Sequence, residues 1–295
     1  MSALLYWFGV IMAILSGIAN NYGTVLQKKV VNQYKEDSKF IRTLIKKPLW
    51  LIGLLLQMLV GSIFFLIAQI YIGPTLIPGL MAGGLIILAI GSVKIVGEQL
   101  KLSEVIGIFI MIVAIALLGF SNMAIDISEQ NFLEIGLFTR IMIFTLILCI
   151  LASLFYIMQI KNIYKGISLA IYSGFHFALS NFWISPLMGV LTHVFEGNAI
   201  LLEVIIFFIA IFILTGNNLL GMTSIQKAFK TGQASNLIPI QQVPIQIAPP
   251  FYYLAVFILP INDISSILFL SSGIILIIIS SFLLGRRQAA IEKVE

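Results

Sequence analysis

Long runs of apolar residues separated by short polar segments dominate this 295-residue chain. Each run is about 20 residues long, the length that an α-helix needs to cross the hydrocarbon core of a bilayer. The runs lack the apolar/polar alternation that marks the strands of a membrane barrel. The pattern therefore predicts nine transmembrane helices, at residues 4–27, 49–71, 74–94, 103–121, 137–159, 167–192, 199–223, 231–259 and 264–285.

The composition agrees with a membrane protein, because 60% of the residues are hydrophobic and only 10% are charged. A soluble domain carries about a quarter charged residues. We therefore expect an all-α integral membrane protein that has the lipid bilayer as its surroundings. The first apolar run has no basic segment before it and no small-residue cleavage site, so we interpret it as a retained helix.

Basic residues segregate to one side of the nine predicted helices. Of the 17 lysines and arginines, all but Arg140 fall in alternate loops and in the C-terminal tail. Cytoplasmic loops hold the excess of Lys and Arg, so we predict a plasma-membrane protein with its N-terminus outside and its C-terminus in the cytoplasm. The net charge of +5 is spread over these loops, which argues against a nucleic-acid partner.

Short sequence matches relate two parts of the chain. The segment "TLIP" at 75–78 matches "NLIP" at 236–239, and Gly107 and Gly273 are each followed ten residues later by "LLG". These matches pair predicted helices 2–4 with 7–9. A separation of five helices reverses the orientation in the membrane, so the repeats would be inverted, as they are in many secondary transporters.

The eighth predicted helix differs from the others because prolines and glutamines interrupt it. Proline removes a backbone donor, and a glutamine in hydrocarbon needs partners. We predict that the substrate pathway passes Pro239, Gln241 and Gln242. Adjacent helical residues point about 100° apart, so only one of the two glutamines is expected to face the cavity. The halves around it would be 1–126, with helices 1–4, and 127–295, with helices 5–9, in a single transmembrane domain.

The segment 73–119, from "GPTLIPGLMAGG" to "IALLG", resembles the helix, Gly-Glu turn and closing helix of EamA-like proteins in the drug/metabolite transporter superfamily. Residues 226–257 resemble the same unit, with Leu259 and Pro260 where the Gly-Glu pair is expected. Nine helices with "LQKK" at 26–29 are also similar to the NIPA-type branch of proposed magnesium transporters. The resemblance implies a multi-pass transporter of a small-molecule or ion substrate.

Polar side chains deep in other predicted helices are further candidates for substrate contact. His176 is the only strongly polar titratable group that we place near the midplane. An intramembrane ionisable group is a functional candidate, although a neutral histidine bonded to one carbonyl would be structural. Asparagine amides in turn join helices with or without a ligand. These candidates are His176, Asn181, Asn20, Asn21, Asn217 and Asn218.

A Gly-Glu pair, Gly97 and Glu98, lies between the third and fourth predicted helices. Lysines on both sides place it at the cytoplasmic interface. We interpret Gly97 as a tight connection between the helices and Glu98 as a structural carboxylate. Glu104 is expected in the first turn of the next helix, where the helix dipole favours a negative charge.

The sequence lacks the motifs of a membrane enzyme. His176 and His193 have no metal-binding spacing, and neither a GxSxG turn nor a phosphate-binding loop is present. Cys149 is the single cysteine, so no cysteine-based metal site is expected. We therefore expect no enzymatic activity, no cofactor and no metal site.

The leading interpretation is a carrier of a small solute, in which two inverted halves rock around a cavity lined by predicted helices 1, 3, 6, 7 and 8. No Asp or Glu is expected near the middle of a helix. A stripped Mg²⁺ ion would therefore lack its usual anionic ligands. The alternatives are a divalent-cation permease of the NIPA type and a non-transporting membrane scaffold. A homodimer is compatible with each of the three.

Overall fold

The computed structural model describes residues 3–34, 39–72, 77–121, 130–260 and 263–293. Of the described residues, 86% are helical, and they form no strand. Eight helical segments are long and apolar enough to cross a bilayer, so the prediction of an all-α, multi-pass membrane protein is confirmed. The predicted boundary between the halves, after residue 126, lies outside the described residues.

The described residues form α-helices joined by short connections. They are α1 (Ala3–Val31), α2 (Phe40–Leu44), α3 (Pro48–Leu55), α4 (Gly61–Ile72), α5 (Ile77–Ala82), α6 (Gly84–Gly91), α7 (Leu102–Phe120), α8 (Ile135–Ile160), α9 (Lys165–Phe195), α10 (Leu201–Ala228), α11 (Ala234–Phe251) and α12 (Ile264–Glu292). A π-helical turn, Leu56–Val60, joins α3 to α4, and similar turns, Ser92–Val96 and Tyr252–Val256, extend α6 and α11.

The eight apolar segments present large hydrophobic side chains on the outside of the bundle. Phe212 of α10, for example, is 79% exposed. So many exposed apolar side chains are tolerated only in an apolar environment such as lipid. The segments are Leu4–Val31, Pro48–Ile72, Gly79–Val96, Leu102–Phe120, Ile135–Ile160, Lys165–Phe195, Leu201–Ala228 and Ile264–Glu292.

Three of the helices continue beyond the apolar runs that predicted them. Helix α1 extends to Val31, α10 to Ala228 and α12 to Glu292, whereas the runs stop at residues 27, 223 and 285. Hydropathy detects only the part of a helix that lies in hydrocarbon. The helical backbone satisfies its own hydrogen bonds, so the helix does not have to end where the lipid ends.

Close contacts set the directions of the first helices. The Ser16 hydroxyl donates to the carbonyl oxygen of Gly61 over 2.7 Å. Nearer the start of α1, a Cβ atom at Gly9 would lie 2.8 Å from the Cγ2 atom of Ile72, the last residue of α4. Residue numbers therefore rise along α1 as they fall along α4, and these two helices are antiparallel.

Helix α9 has α10 and α11 as neighbours on different faces. The Ser173 hydroxyl donates to the carbonyl of Gly221 in α10, and His193 meets Glu203 near the other end of this antiparallel pair. Gly174 lies against Gln241 and Pro244 of α11. The rings of Phe182 and Tyr252 then meet 5.2 Å apart, so α9 and α11 are parallel.

One end of the bundle carries the basic residues. Helices α1, α10 and α12 end there, and α9 and α11 begin there. We call it the basic end because Lys28, Lys230 and Arg287 lie at it, and Glu292 accepts from the backbone N–H groups that begin α9, at Gly166 and Ile167.

The prediction that prolines interrupt the eighth helix is wrong within α11, which is continuous through all four of its prolines. The fixed φ angle of proline is compatible with an α-helix. Its free-energy cost in a helix comes from the missing backbone N–H and from crowding between the ring and the preceding turn. Gly174 of the neighbouring α9 leaves room for the Pro244 ring, because any side chain there would overlap that ring. In the predicted counterpart, Gly83 separates α5 from α6 and keeps a helical backbone conformation, with φ −56° and ψ −24°.

Glu98 holds the start of α11. Its carboxylate accepts hydrogen bonds from the backbone N–H groups of Ala234 and Ser235, at 2.7 and 3.2 Å, and from the Ser235 hydroxyl at 2.8 Å. Gly97, beside it, has a φ of +85°, a left-handed conformation that glycine adopts without strain. The pair therefore serves the connection between helices, in line with its structural interpretation.

Candidate functional site

A cavity of about 340 Å³ lies in the bundle and is lined by both halves of the chain. Its walls come from α1, the π-turn after α3, α5, α6, α7, α9, α10 and α11. Nine carboxamide side chains and one hydroxyl make up the polar part of the lining: Asn20, Asn21, Thr24, Gln27, Gln57, Asn181, Gln226, Gln241, Gln242 and Gln246. No ionisable side chain belongs to the lining formed by the described residues.

Five of the nine side chains predicted to contact substrate line this cavity: Asn20, Asn21, Asn181, Gln241 and Gln242. The expectation that only one of Gln241 and Gln242 would face it is wrong. The cavity follows α11 for more than one turn, with Ile238, Ile245 and Gln246 also in its wall. A long glutamine side chain reaches it from more than one helical position.

The cavity walls extend beyond the helices that the sequence predicted. Gln57 comes from the second predicted helix and Ile115 of α7 comes from the fourth. Neither helix was expected to line the cavity. Gln57 lies in the π-helical turn Leu56–Val60. The sequence also missed other polar lining residues, which are Thr24, Gln27, Gln226 and Gln246.

Two of these missed residues share a sequence signal. Gln27 and Gln226 each stand directly before a lysine near the end of an apolar run. The lysines assign both glutamines to the membrane boundary. In the structure both helices continue past this point, and both glutamines are almost fully buried. The sequence signal that could have identified them is the glutamine directly before a lysine. Their burial, which requires a hydrogen-bond partner, is visible only in the structure.

His176 lies outside the cavity lining and contacts a different helix. Its Nδ1 atom is 2.6 Å from Oδ1 of Asn217 in α10, and its ring packs edge-on against Tyr172, 4.4 Å between centroids. The Asn217 amide nitrogen donates to the carbonyl of Ile213, so its oxygen faces the histidine. His176 therefore donates through Nδ1, and its buried Nε2 has no partner among the described residues.

Asn218 and Pro239 also lie outside the cavity lining. The Asn218 amide donates to the hydroxyl of Ser180 in α9 over 2.6 Å and to the carbonyl of Leu214 over 2.8 Å. Pro239 is buried in α11. Asn217 and Asn218 thus join α9 to α10, the role that side-chain amides often have between membrane helices.

A chain of four side chains crosses from one half of the protein to the other. The Trp50 indole donates to Oε1 of Gln226 over 3.2 Å, and the Gln226 amide nitrogen donates to Oε1 of Gln27. The Gln27 nitrogen then donates to Oε1 of Gln57 over 2.8 Å. The chain links α3, α10 and α1 along one side of the cavity.

Shorter hydrogen-bonded chains orient three more amides of the cavity. The Gln241 nitrogen donates to the hydroxyl of Ser173 over 2.7 Å. The Gln246 nitrogen donates to Oε1 of Gln242 over 3.2 Å, and the Asn21 nitrogen donates to the carbonyl of Gly17 over 2.9 Å. In each case the protein occupies one side of an amide and leaves the other side available.

Two lysines bridge the ends of α1 and α10 at the basic end. Lys28, near the end of α1, donates to the carbonyl oxygens of Phe229 and Gly232, just beyond α10. Lys230 donates to the carbonyl of Val31, the last residue of α1, over 3.1 Å. Each helix C-terminus, where the helix dipole is negative, thus receives a cation carried by the other helix.

Hydrogen bonds between the two halves of the described chain cluster at the basic end. Besides the lysine and glutamine contacts, the Asn236 amide donates to Glu104 over 2.6 Å, and Ser280 donates to the carbonyl of Gly107 over 2.7 Å. Near the opposite end, α7 and α12 meet through the rings of Phe120 and Phe269, 6.0 Å apart. The halves are therefore held by polar contacts on one side of the cavity.

No group of three or more His, Cys, Asp or Glu side chains suited to a metal ion occurs among the described residues. The available chemistry is hydrogen bonding by neutral amides. No protein-family model, curated protein or solved structure matches this chain. Its function is therefore inferred from its own geometry.

Proposed function

We propose that this protein is a multi-pass membrane transporter that moves a small solute by alternating access, as its resemblance to the drug/metabolite superfamily implies. The observation that carries the proposal is the polar cavity between the two halves, which Lys28 and Lys230 bridge at the basic end. A buried polar space inside a membrane bundle is costly unless water or a solute occupies it.

A ninth crossing of the membrane by α11 and its π-turn belongs to this proposal. Glu98 holds Ala234 at the basic end, and Arg140, near the start of α8, donates to the carbonyl of Val256 over 2.7 Å. The helix from Ala234 to Val256 is about 34 Å long at 1.5 Å per residue, which matches the bilayer core. It is parallel to α9, which is one of the eight apolar spans.

Nine crossings place the basic end on a single side of the membrane. Lysine and arginine are retained on the cytoplasmic side, so the basic end would face the cytoplasm of the cell, with the N-terminus outside. The position of Arg140 supports this orientation, because its contact with Val256 lies at the opposite end of the bundle.

Matching contacts in the two halves support an inverted repeat. Ser16 of α1 donates to the carbonyl of Gly61, and Ser173 of α9 donates to the carbonyl of Gly221, at 2.7 and 2.6 Å. Both serines precede a glycine. The repeat would therefore include α1 and α9, which the short sequence matches did not relate.

The glycines after these serines also have matching surroundings. Gly17 packs closely on the backbone of α5 and α6, at Met81 and Gly84. Gly174 packs closely on α11, at Gln241 and Pro244. In each repeat, the first helix thus meets the third at a glycine, and this contact adjoins the cavity.

Helices α7 and α12 pack reciprocally. A Cβ atom at Gly107 would lie 2.9 Å from Leu284, and one at Gly273 would lie 2.8 Å from Leu118. These are the residues that the sequence matches equate. A pair of equivalent helices around a two-fold axis makes each contact twice, so this packing supports the pairing of predicted helices 4 and 9.

Alternating access gives the contacts at the basic end a function. With the basic end closed, the cavity would be reached from the opposite side, where the halves meet through apolar rings. Rocking of the halves would break the lysine and glutamine contacts and open the cytoplasmic side. The two inverted halves would exchange their arrangements in this step, as proposed for other transporters with inverted repeats.

Transport by purified protein in liposomes tests the proposal. We expect uptake of at least one member of a broad metabolite panel, measured with and without a pH gradient. Uptake should saturate and exceed that of empty liposomes. Well-reconstituted protein that moves no member of the panel would contradict the proposal and favour a scaffold.

A divalent-cation permease is less well supported by the site. The lining formed by the described residues has no carboxylate, whereas Mg²⁺ is usually held by one or two carboxylates. Rescue of a transport-deficient host by this protein in low magnesium would favour the permease. Absence of rescue by well-expressed protein would argue against it.

A further inference from the structure

Several amides of the cavity have a fixed direction, because a donor-only or acceptor-only group begins or ends their hydrogen-bonded chain. An indole N–H can only donate, so the Gln226 atom facing Trp50 is an oxygen. Its nitrogen must then face Gln27, and the Gln27 nitrogen must face Gln57. The chain ends with the Gln57 nitrogen, which remains available to donate into the cavity.

Backbone carbonyls fix the direction of other amides in the same way. The Asn21 nitrogen faces the carbonyl of Gly17, which leaves the Asn21 oxygen available. The Ser173 hydroxyl donates to a carbonyl and therefore accepts from Gln241, which leaves the Gln241 oxygen available. The cavity thus offers at least one directed donor, from Gln57, and two directed acceptors.

The remaining amides add groups of both kinds. Gln246 donates to Gln242, which leaves a nitrogen on Gln242 and an oxygen on Gln246. Asn20 and Asn181 line the cavity with amides that bond to no other described side chain. Donors and acceptors are therefore both present along the walls, and none of the described side chains in the lining carries a full charge.

From this lining we infer that the solute is small, uncharged and equipped with both hydrogen-bond donors and acceptors, as carboxamides, nucleobases and polyols are. The inference rests on the proposed function, since it takes the cavity as the transport site. An ion would lose its hydration without meeting an opposite charge in the lining, which is costly. The cavity volume of about 340 Å³ lies near the lower end of ligand pockets, which span about 300–1,000 Å³.

A hydrated cation fits this lining less well than a neutral solute does. Amide oxygens can accept from the water ligands of Mg²⁺, but the available nitrogens of Gln57 and Gln242 would then point N–H groups at a positive centre. A neutral solute with donors and acceptors uses both kinds of group. Mg²⁺ is therefore a competing ligand in the test.

The test compares pairs of probes that have nearly the same size and differ in charge. Nicotinamide and nicotinate form one pair, orotamide and orotate form another, and Mg²⁺ is measured alone. Equilibrium binding to the purified full-length protein in detergent gives the affinities. We expect the neutral member of at least one pair to bind at least tenfold more tightly than its charged partner.

Variants of the lining connect binding to these amides. Gln57→Leu and Gln241→Leu should each weaken binding of the neutral probe at least tenfold. Gln69→Leu is the matched control, because Gln69 is an exposed glutamine of α4 outside the cavity, and its binding should equal that of the unmodified protein. Gln57→Glu keeps the shape and adds a charge, so it should gain affinity for Mg²⁺ while losing the neutral probe.

Three results would overturn the inference: equal or tighter binding of the charged probe or Mg²⁺ to the unmodified protein, no binding of any neutral probe, or unchanged binding by Gln57→Leu and Gln241→Leu. A different result separates it from the proposed function. Selective binding of a neutral probe without uptake into liposomes would support the solute class and contradict transport. Uptake of charged solutes alone would support transport and contradict the solute class.

Discussion

Lys28 at the end of α1 donates a hydrogen bond to the carbonyl oxygen of Phe229, the residue that follows α10. The two residues belong to different halves of the chain. Lys28 is 4% exposed, so its ammonium group is removed from water and depends on carbonyl oxygens of this kind. If the halves move apart at the basic end, this contact has to break.

Lys28→Met should open the basic end. A hydrogen bond to a charged group contributes about 1.5–3 kcal/mol, so its loss should favour the open arrangement by about ten- to hundredfold. A cysteine introduced at Thr24, in the cavity wall, reports the change in a Cys149→Ser background. We expect an impermeant thiol reagent to label it faster from the cytoplasmic side of inside-out vesicles.

Lys29→Met is the control for this experiment. Lys29 is the neighbouring lysine on α1 and is exposed. Its replacement removes the same charge from the chain without removing a contact with α10. Equal labelling rates for the Lys28 and Lys29 variants would show that Lys28 does not hold the basic end closed.

Gly174→Ala should destabilise the protein. A methyl group there would overlap the Gln241 carbonyl oxygen and the Pro244 ring, and overpacking of this kind costs about 1–3 kcal/mol. Gly216→Ala is the matched control, since Gly216 is in α10 and nothing lies within 4 Å of an added Cβ. It should be neutral or stabilising, because alanine is the better helix former by about 1 kcal/mol. Thermal unfolding in detergent, followed by circular dichroism, gives the melting temperature of each variant. Equal melting temperatures for the two variants would contradict the close contact at Gly174.

The proposed ninth crossing predicts that Thr231 and Asp263 lie on opposite sides of the membrane. These residues precede and follow the helix formed by α11 and its π-turn. In a Cys149→Ser background, we expect Thr231→Cys to react with impermeant reagent from the cytoplasmic side and Asp263→Cys from the outside. Reaction of both from the same side would mean that α11 does not cross the membrane.

Asn217→Leu should affect stability and leave solute binding intact. Asn217 contacts His176 between α9 and α10 and does not line the cavity. A side-chain hydrogen bond between membrane helices contributes about 0.6–1.7 kcal/mol, so the melting temperature should fall modestly. Its Kd for a neutral probe should match that of the unmodified protein. A loss of affinity as large as that of Gln241→Leu would indicate that Asn217 and His176 belong to the binding site.

Hydropathy was sufficient to predict the fold class and the approximate positions of the spans. A bilayer requires long apolar helices, so the sequence has to display them in order. Helix ends were less predictable, because α1, α10 and α12 continue beyond the apolar runs. Proline was a misleading signal in α11, where the surrounding packing accommodates four of them in a continuous helix.

The sequence by itself determined that amides lie inside these helices, since Asn and Gln are visible in apolar runs. The tertiary structure decided which of them meet. Asn181 and His176 are five positions apart on α9, yet only Asn181 lines the cavity. Gln27, Gln57 and Gln226 come from distant segments and form one chain. The physical reason is that helix rotation and partner choice depend on close packing between helices, such as that at Gly174, and no single segment carries that information.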